Sequence, residues 1–209
     1  MKEFSFALDQ RLVDIFFAPI RRKEQSLTLL MKAIKLMLIG DIIDSSRKKG
    51  ELVLVVSKMN RLFFFSDNKK FTLGFPFSVT ESEDGLQFES KFIANVDSRL
   101  TSEVLNVLSQ ERLFENSCSL EFSESLVDVE DYHDQFMPFL LDLLMYEDGY
   151  LRHDKDEENC NGDIHPLFHF DFFYSSISTC KFGTDSHVQE RDMIDLLKTE
   201  TNCHYLGKR

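Results

Sequence analysis

The fold is decided by four strand-like segments that begin with Leu52-Val-Leu-Val-Val-Ser57 and Arg61-Leu-Phe-Phe-Phe-Ser66. The other two are Phe71-Thr-Leu-Gly-Phe-Pro-Phe-Ser-Val79 and Leu86-Gln-Phe-Glu-Ser-Lys-Phe-Ile93. All four are rich in β-branched and aromatic residues, and Asn, Asp, Lys and Gly turn residues separate them, which is typical of an antiparallel meander. Pro76 indicates that its strand lies at a sheet edge or carries a bulge.

Helical periodicity predicts four helices around this sheet, at residues 27–43, 101–116, 128–146 and 188–199. Gly40 marks the C-terminal end of the first helix, and Pro138 predicts a kink or a restart in the third. Further strands are predicted at residues 119–122, 150–154, 164–174 and 181–183. We therefore expect a single α+β domain over residues 1–209, with a mainly antiparallel sheet of about six to eight strands and about four packed helices.

The composition is that of one globular core packed by phenyl rings. A chain of 209 residues with 43% hydrophobic content is long enough for one sizeable core and short for two. It holds 21 Phe and 5 Tyr but no Trp, so most of its aromatic rings have no polar group.

Charge is distributed unevenly along the chain. The formal net charge is −12, yet residues 1–70 contain 14 Lys and Arg against 8 Asp and Glu, and the remainder contains 10 against 28. An acidic body repels phosphate backbones, which disfavours autonomous binding of nucleic acid. Short basic runs at residues 21–23, 47–49 and 69–70 are interpreted as solvated loop ends.

The cellular setting follows from the cysteines and the apolar runs. Cys118, Cys160, Cys180 and Cys203 form no C-x-x-C pair, and no secretory leader opens the chain, so we expect reduced thiols in the cytoplasm. The most apolar run, residues 27–43, contains Lys32, Lys35 and Asp41 and lacks the uncharged length of a membrane span.

The best candidate for chemistry is the segment Asp163-Ile-His-Pro-Leu-Phe-His-Phe-Asp-Phe-Phe173. On a strand, His169 and Asp171 share one face, and the phenylalanines at 168, 170 and 172 share the other. One face is then expected to be polar and the other to belong to the core. Pairing with residues 150–154 would direct Arg152 and Asp154 toward His169 and Asp171. The candidate site residues are Arg152, Asp154, His165, His169 and Asp171.

These residues leave several alternatives open. A cation, two carboxylates and imidazoles suit metal-dependent phosphodiester chemistry, but they also suit an ion-paired sheet face that fixes strand register. Cys160, His165 and His169 have a C-x4-H-x3-H spacing, to which Cys180 or Asp171 could add a fourth ligand. The acidic loop at residues 154–163 is interpreted as a solvated hairpin tip, since its spacing is not that of an EF-hand.

The order of these segments resembles an uncharacterised bacterial family known only as a domain of unknown function. The resemblance rests on Tyr150-Leu-Arg-His-Asp154, His165-Pro-Leu-Phe-His169, Cys180-Lys-Phe182 and a final amphipathic helix. Members of that family show R-x-D, HP-x-x-H and C-R-I-P in this order, and this chain has Phe182-Gly183 where they have Ile-Pro. The resemblance implies a bacterial cytosolic origin and a setting among phage-defence or mobile genes, and it implies no established activity.

Charge and the absence of a complete catalytic motif favour a non-enzymatic function. We expect a regulatory component of a bacterial defence or toxin-control module that binds a protein partner and needs no cofactor. The alternative is a metal-dependent nuclease or phosphodiesterase in which Arg152, Asp154, His165, His169 and Asp171 act with a divalent metal. The sequence does not decide between these two functions.

Overall fold

The computed structural model describes residues 1–40, 43–58, 60–83, 85–110, 134–174, 180–198, 200–202 and 204. Among these residues, seven antiparallel strands form the central sheet in the order β1-β2-β3-β4-β7-β8-β9. Their bounds are β1 Lys2–Leu8, β2 Gly50–Val56, β3 Arg61–Phe65, β4 Lys69–Gly74, β7 Leu151–Lys155, β8 Phe168–Asp171 and β9 Lys181–Gly183. Strands β5 (Ser78–Ser82) and β6 (Gly85–Glu89) form a separate hairpin.

Five α-helices within the described residues pack around the sheet. They are α1 Gln10–Phe16, α2 Lys23–Ile39, α3 Ser98–Leu108, α4 Phe136–Met145 and α5 Glu190–Leu196. A short 3-10 helix, Ser45–Arg47, precedes β2. The predicted α+β class with a mainly antiparallel sheet is confirmed.

Both faces of the sheet are covered, which explains the long apolar runs in β2 and β3. Leu52, Leu54 and Phe64 belong to the larger core, which includes the buried residues of α2, α3 and α4. The residues between them face the other way and pack with Met193 and Ile194 of α5; they are Val53, Val55, Phe63 and Phe65. A sheet covered on both faces buries consecutive residues, so the period-two alternation of a half-exposed strand is lost.

Phenyl rings form the centre of the larger core, as the composition predicts. Phe64 stacks on Phe71 with ring centroids 4.4 Å apart and planes at 7°. Phe16 of α1 approaches Phe64 at 5.4 Å, and Phe17 meets Phe71 edge-on at 5.4 Å. The end of α1 is thereby fixed over strands β3 and β4.

The sequence analysis missed the first two elements, β1 and α1. Strand β1 pairs antiparallel with β2, and its alternate residues Phe4, Phe6 and Leu8 pack against the larger core. Asp9 then caps α1 by accepting a hydrogen bond from the Leu12 amide at 2.9 Å. Alternation over only seven residues is a weak signal, because short apolar segments fit strands and helices equally well.

Helix α2 begins and ends four residues before its predicted bounds. At its start, the Gln25 side chain accepts hydrogen bonds from the Arg21 and Arg22 amides at 2.7 and 3.2 Å. At its end, Gly40 adopts a left-handed conformation with φ 65°, and its amide donates to the Leu36 carbonyl. Glycine takes this conformation without steric cost, so the helix ends before Gly40 and does not continue to residue 43.

The predicted strand at residues 71–79 is two strands, since β4 ends at Gly74 and β5 begins at Ser78. Pro76 lies between them, where its missing N–H removes no ladder hydrogen bond, so the predicted edge or bulge is a break between sheets. The Gly74 and Phe75 amides instead donate to the carbonyls of Asp148 and Asn60, at 2.6 and 2.9 Å.

The remaining helices are shorter than predicted. Helix α3 begins at Ser98 because Asp97 caps the Leu100 amide, and it ends at Leu108. Helix α4 begins at Phe136, which places Pro138 in the first turn, where no backbone donor is needed. The predicted strand at 119–122, residues 111–116 and residues 128–133 lie outside the described residues. No described helix is long and apolar enough to cross a bilayer.

We expect Phe136→Ala to lower the free energy of unfolding by about 3 to 5 kcal/mol, the range for deleting a buried aromatic side chain. Phe136 is 0% exposed, whereas Met145 at the other end of α4 is 86% exposed and serves as the control. Urea denaturation of both alanine variants measures the difference. A Phe136→Ala midpoint close to that of Met145→Ala would contradict the position of the core.

His153 lies on the face of the sheet covered by α5 and is fully buried. Its ring contacts Phe170 edge-on at 4.8 Å and stacks on His187 at 5.3 Å. Burial lowers the pKa of His153 to about 4, and the neighbouring His187, Lys70 and His169 add to this shift. Between about pH 4 and about pH 6.5, His153 is therefore mostly protonated in the unfolded chain and mostly neutral in the folded protein.

Because of this difference, we expect the folded state to lose stability as the pH falls from about 6.5 to about 4, by at most about 1.4 kcal/mol per pH unit from this residue. His153→Leu removes the titrating group and should flatten the dependence, whereas His204→Ala removes a half-exposed imidazole and should not. Urea denaturation at pH 7.5 and pH 5 tests this. Equal pH dependence in wild type and His153→Leu would show that His153 does not cause it.

Candidate functional site

Four predicted site residues meet on one face of the sheet through the pairing of β7 with β8. Arg152 lies opposite Asp171, and Asp154 lies opposite His169. On the other side of β7, Arg152 lies opposite Phe71, so the cluster shares the face of the larger core. The prediction that β8 has one polar face and one apolar face is confirmed. Phe170 is buried in the smaller core, which lies under α5, and Phe172 packs against that core.

The polar face is largely closed to solvent. His169 is 1% exposed and Asp171 is 4% exposed, whereas the side chains of Asp154 and Arg152 keep 17% and 23% of their surface. Two of the four groups are therefore nearly withdrawn from water, where charges interact more strongly than at the surface. The cause is that both faces of this sheet are covered.

Arg152 joins the two carboxylates. Its Nη2 donates a hydrogen bond to Oδ2 of Asp171. Its Nε lies 2.7 Å from Oδ2 of Asp154, but the N–H is not aligned on that oxygen, so this contact is an ion pair without a hydrogen bond. One guanidinium thus contacts Asp154 and Asp171 across the β7–β8 ladder and holds them on the same side.

His169 is oriented by a backbone carbonyl of the His-Pro-x-x-His segment. Its Nδ1 lies 2.8 Å from the Pro166 oxygen, which can only accept, so Nδ1 carries the proton. Its Nε2 is then an acceptor, and Lys181 Nζ donates to it at 3.1 Å. Metal-binding histidines in proteins are commonly oriented by this kind of carbonyl hydrogen bond.

Asp171 retains one oxygen without a hydrogen bond. Its Oδ1 is buried and accepts no hydrogen bond from any residue that the structure describes, and Lys181 Nζ is 3.6 Å away. Leaving a buried acceptor unsatisfied costs about 1–3 kcal/mol, more for a charged group. This oxygen is thus available to a ligand that supplies positive charge.

Asp154, His169 and Asp171 form a candidate metal site, because one donor atom from each lies within 4.8 Å of the others. His169 Nε2 is 3.8 Å from Oδ2 of Asp171 and 4.0 Å from Oδ2 of Asp154. An ion about 2.1 Å from each donor requires donor separations of roughly 3 to 4.2 Å, and both distances from His169 Nε2 lie in that range. Three protein ligands leave coordination positions for water or substrate.

The predicted C-x4-H-x3-H ligand set does not assemble. Cys160 and Cys180 are both exposed, and neither belongs to the group formed by the described residues. Of that set, only His169 and Asp171 are metal-ligand candidates. Sequence spacing could not show this, because the ligand set depends on which strands pair.

His165, the fifth predicted site residue, is not on the strand predicted for residues 164–174. It forms an isolated bridge with Asn161, because the chain turns before β8 begins at Phe168. Its Nε2 lies 3.0 Å from Oδ2 of Asp156, and its ring meets the His169 ring edge-on at 4.7 Å. The structure therefore places His165 beside the cluster, with a carboxylate on its far side.

Four further residues belong to this region and were not predicted for it: Lys69, Tyr150, Asp156 and Lys181. Lys69 lies opposite Asp154, and Lys181 lies opposite Asp171. Burial lowers the pKa of Lys69, and nearby Arg152 lowers it further; burial raises the pKa of Asp154, although Arg152 opposes that shift.

The interpretation of Lys69 and Lys70 as solvated residues is wrong, since Lys70 is 5% exposed and Lys69 is half-buried. Only strand register could have identified Lys69 and Lys181.

Two clefts flank the cluster at opposite ends of β7. A cleft of about 320 Å³ includes Asn68, Lys69, Asp154 and Asp156 in its lining, so Asp154 is reached from solvent there. A larger cleft of about 690 Å³ includes Tyr150, Leu151, Phe172 and Phe173, which adjoin Arg152 and Asp171 in sequence. The cluster is thus a buried site with adjoining open space.

This geometry is the basis for any functional argument. Comparison of the chain with protein-family models, with curated proteins and with solved structures found no match.

Proposed function

We propose that the protein hydrolyses phosphodiesters with a divalent metal ion held by Asp154, His169 and Asp171. The observation that carries the proposal is the convergence of one donor atom from each of these three residues, two of which are almost completely buried. A metal with two carboxylates and an imidazole polarises a phosphoryl oxygen and lowers the pKa of bound water. Mn²⁺ suits this mixture of oxygen and nitrogen donors.

The remaining charges of the cluster suit an anionic substrate. Arg152, Lys69 and Lys181 contribute three positive charges, which balance the carboxylates of Asp154, Asp171 and Asp156, so a bound metal would give the site an excess of positive charge. A third of the Lys181 side chain is exposed, so this side chain can change its partner. If a metal is coordinated by His169 Nε2, the Lys181 ammonium can donate to a phosphoryl oxygen instead. Positive groups that face developing negative charge stabilise the transition state of phosphoryl transfer.

His165 is suited to accept the proton of the attacking water. If its Nε2–H donates to Asp156, its Nδ1 is left with a lone pair, and Asp156 stabilises the charge that forms on the ring. The water oxygen then bonds to phosphorus, the ester P–O bond breaks, and the departing oxygen takes a proton from solvent. About a quarter of the His165 side chain is exposed, which keeps the ring accessible.

Calorimetric titration with Mn²⁺ tests the site directly. We expect one ion per chain in wild type and at least about 100-fold weaker binding in Asp154→Asn and in His169→Ala, because each change removes a donor. His204→Ala is the matched control, since it removes an exposed imidazole that is paired with Asp195 outside the cluster. Circular dichroism verifies folding of each variant.

Cleavage of bis-p-nitrophenyl phosphate with Mn²⁺ should be lost in parallel with metal binding and retained in His204→Ala. Wild-type protein that binds Mn²⁺ no better than His169→Ala does would contradict the proposal. Cleavage that survives in both Asp154→Asn and His169→Ala would contradict it as well.

The acidic partner-binding protein predicted from charge remains the second candidate. The observation that favours it is the pairing of Arg152 with both carboxylates, which an ion-paired sheet face that fixes strand register would also show. Under this alternative, a partner would be bound through apolar anchors and acidic steering, and no metal would be required.

The two candidates differ in their dependence on imidazoles. A partner isolated with tagged wild-type protein should be retained by the His165→Ala/His169→Ala double variant if the protein is an adaptor, and metal-dependent cleavage should be absent from wild type. Cleavage by wild type that the folded double variant lacks would reject the adaptor as the main function.

A further inference from the structure

The larger cleft adjoins the candidate metal site through a single tyrosine. Tyr150 directly precedes β7, and its ring centroid lies 6.0 Å from that of Phe71, the residue opposite Arg152 in the sheet. Burial raises the pKa of the Tyr150 hydroxyl to about 12, and the nearby Arg152 opposes that shift. The Tyr150 ring meets that of Tyr174 edge-on at 5.5 Å, and both tyrosines line the cleft.

Aromatic side chains form part of the walls of this cleft, together with the charged residues Lys23, Arg61, Glu147 and Asp148. Besides the two tyrosines, Phe172 and Phe173 line it, and Phe173 is 54% exposed. Few large apolar side chains are so exposed in the described part of the chain, and this one lies two residues after the end of the strand that supplies His169 and Asp171. A volume of about 690 Å³ is that of a small-molecule site, and an exposed phenyl face can stack on a nucleobase.

Arg61 supplies positive charge at the far wall. Its Nε donates to Thr72 Oγ1 at 3.2 Å, and its Nη2 donates to the Gly149 carbonyl. These bonds hold the guanidinium between the 690 Å³ cleft and a neighbouring one of about 520 Å³, which Lys58 also lines. Gly149 keeps this position open, since a Cβ there would lie 3.0 Å from Arg61 Nη1.

We propose that this cleft binds the base of a nucleotide whose phosphodiester lies at the Arg152 cluster, so that the substrate is a short single-stranded nucleic acid. The inference rests on the proposed function for the position of the phosphate. The base stacks on Phe173, and Arg61 lies where the next phosphate of the strand would pass. A net charge of −12 disfavours long duplexes, which carry many phosphates and hide their base faces, more than it disfavours a short strand with few phosphates and unpaired bases.

Fluorescence anisotropy with a labelled hexathymidylate in Ca²⁺ measures binding without requiring cleavage. An abasic oligomer of equal length carries the same phosphates and no bases. We expect wild type to bind the base-containing strand about 10-fold or more tightly than the abasic one. Phe173→Ala should abolish that preference, and Phe173→Tyr should restore it, because stacking needs an aromatic face. Met145→Ala, which removes another exposed apolar side chain, should leave the preference unchanged.

The outcomes separate this inference from the function on which it rests. Equal binding of both oligomers by wild type, or an unchanged preference in Phe173→Ala, overturns the inference even if Mn²⁺-dependent cleavage is observed. A preference that depends on Phe173 supports it even if no cleavage occurs, and the hydrolytic function would then be wrong. Binding of a cyclic mononucleotide without binding of the oligomer overturns the assignment of a strand as substrate.

Discussion

The candidate site depends on one ionic arrangement, in which the guanidinium of Arg152 contacts Asp154 beside it on β7 and Asp171 across the ladder. Two carboxylates placed this close would repel each other, and burial makes that repulsion stronger. Arg152 offsets it and fixes the register of β7 and β8 at the same time. Asp154, His169 and Asp171 can therefore lie on one face within the reach of a single ion.

The two-sided covering of the sheet gives this cluster its electrostatic character. The larger core extends along the face that bears Arg152, and α5 covers the other face near His153 and Phe170. His169 and Asp171 therefore lie in a medium of lower polarity than a half-exposed hairpin would provide. In such a medium, a carboxylate oxygen without a hydrogen bond is costly, and a cationic ligand is correspondingly favoured. The same burial holds the pKa of Asp154 above its ordinary value.

The two clefts beside the buried cluster differ in polarity. At one end of β7, the acidic tip with Asp156 and the half-buried Lys69 provides access for water and ions. At the other end, Tyr150 lies near Arg152 and lines an aromatic cleft that is large enough for an organic group. An ionic centre between a polar opening and an aromatic one is consistent with a substrate that combines an anionic linkage with a flat ring.

The fold class, the phenyl-packed core and the face shared by His169 and Asp171 could be predicted from the sequence, because apolar periodicity and composition are local properties. It also indicated Arg152 and Asp154, since a hairpin between two neighbouring strands is a short-range arrangement. Only the tertiary structure decided that Lys69 and Lys181 join the site, because β4 and β9 reach it through strand order and register, which no local pattern encodes. It likewise decided that the polar face is buried, since burial depends on the elements that pack over the sheet from distant parts of the chain.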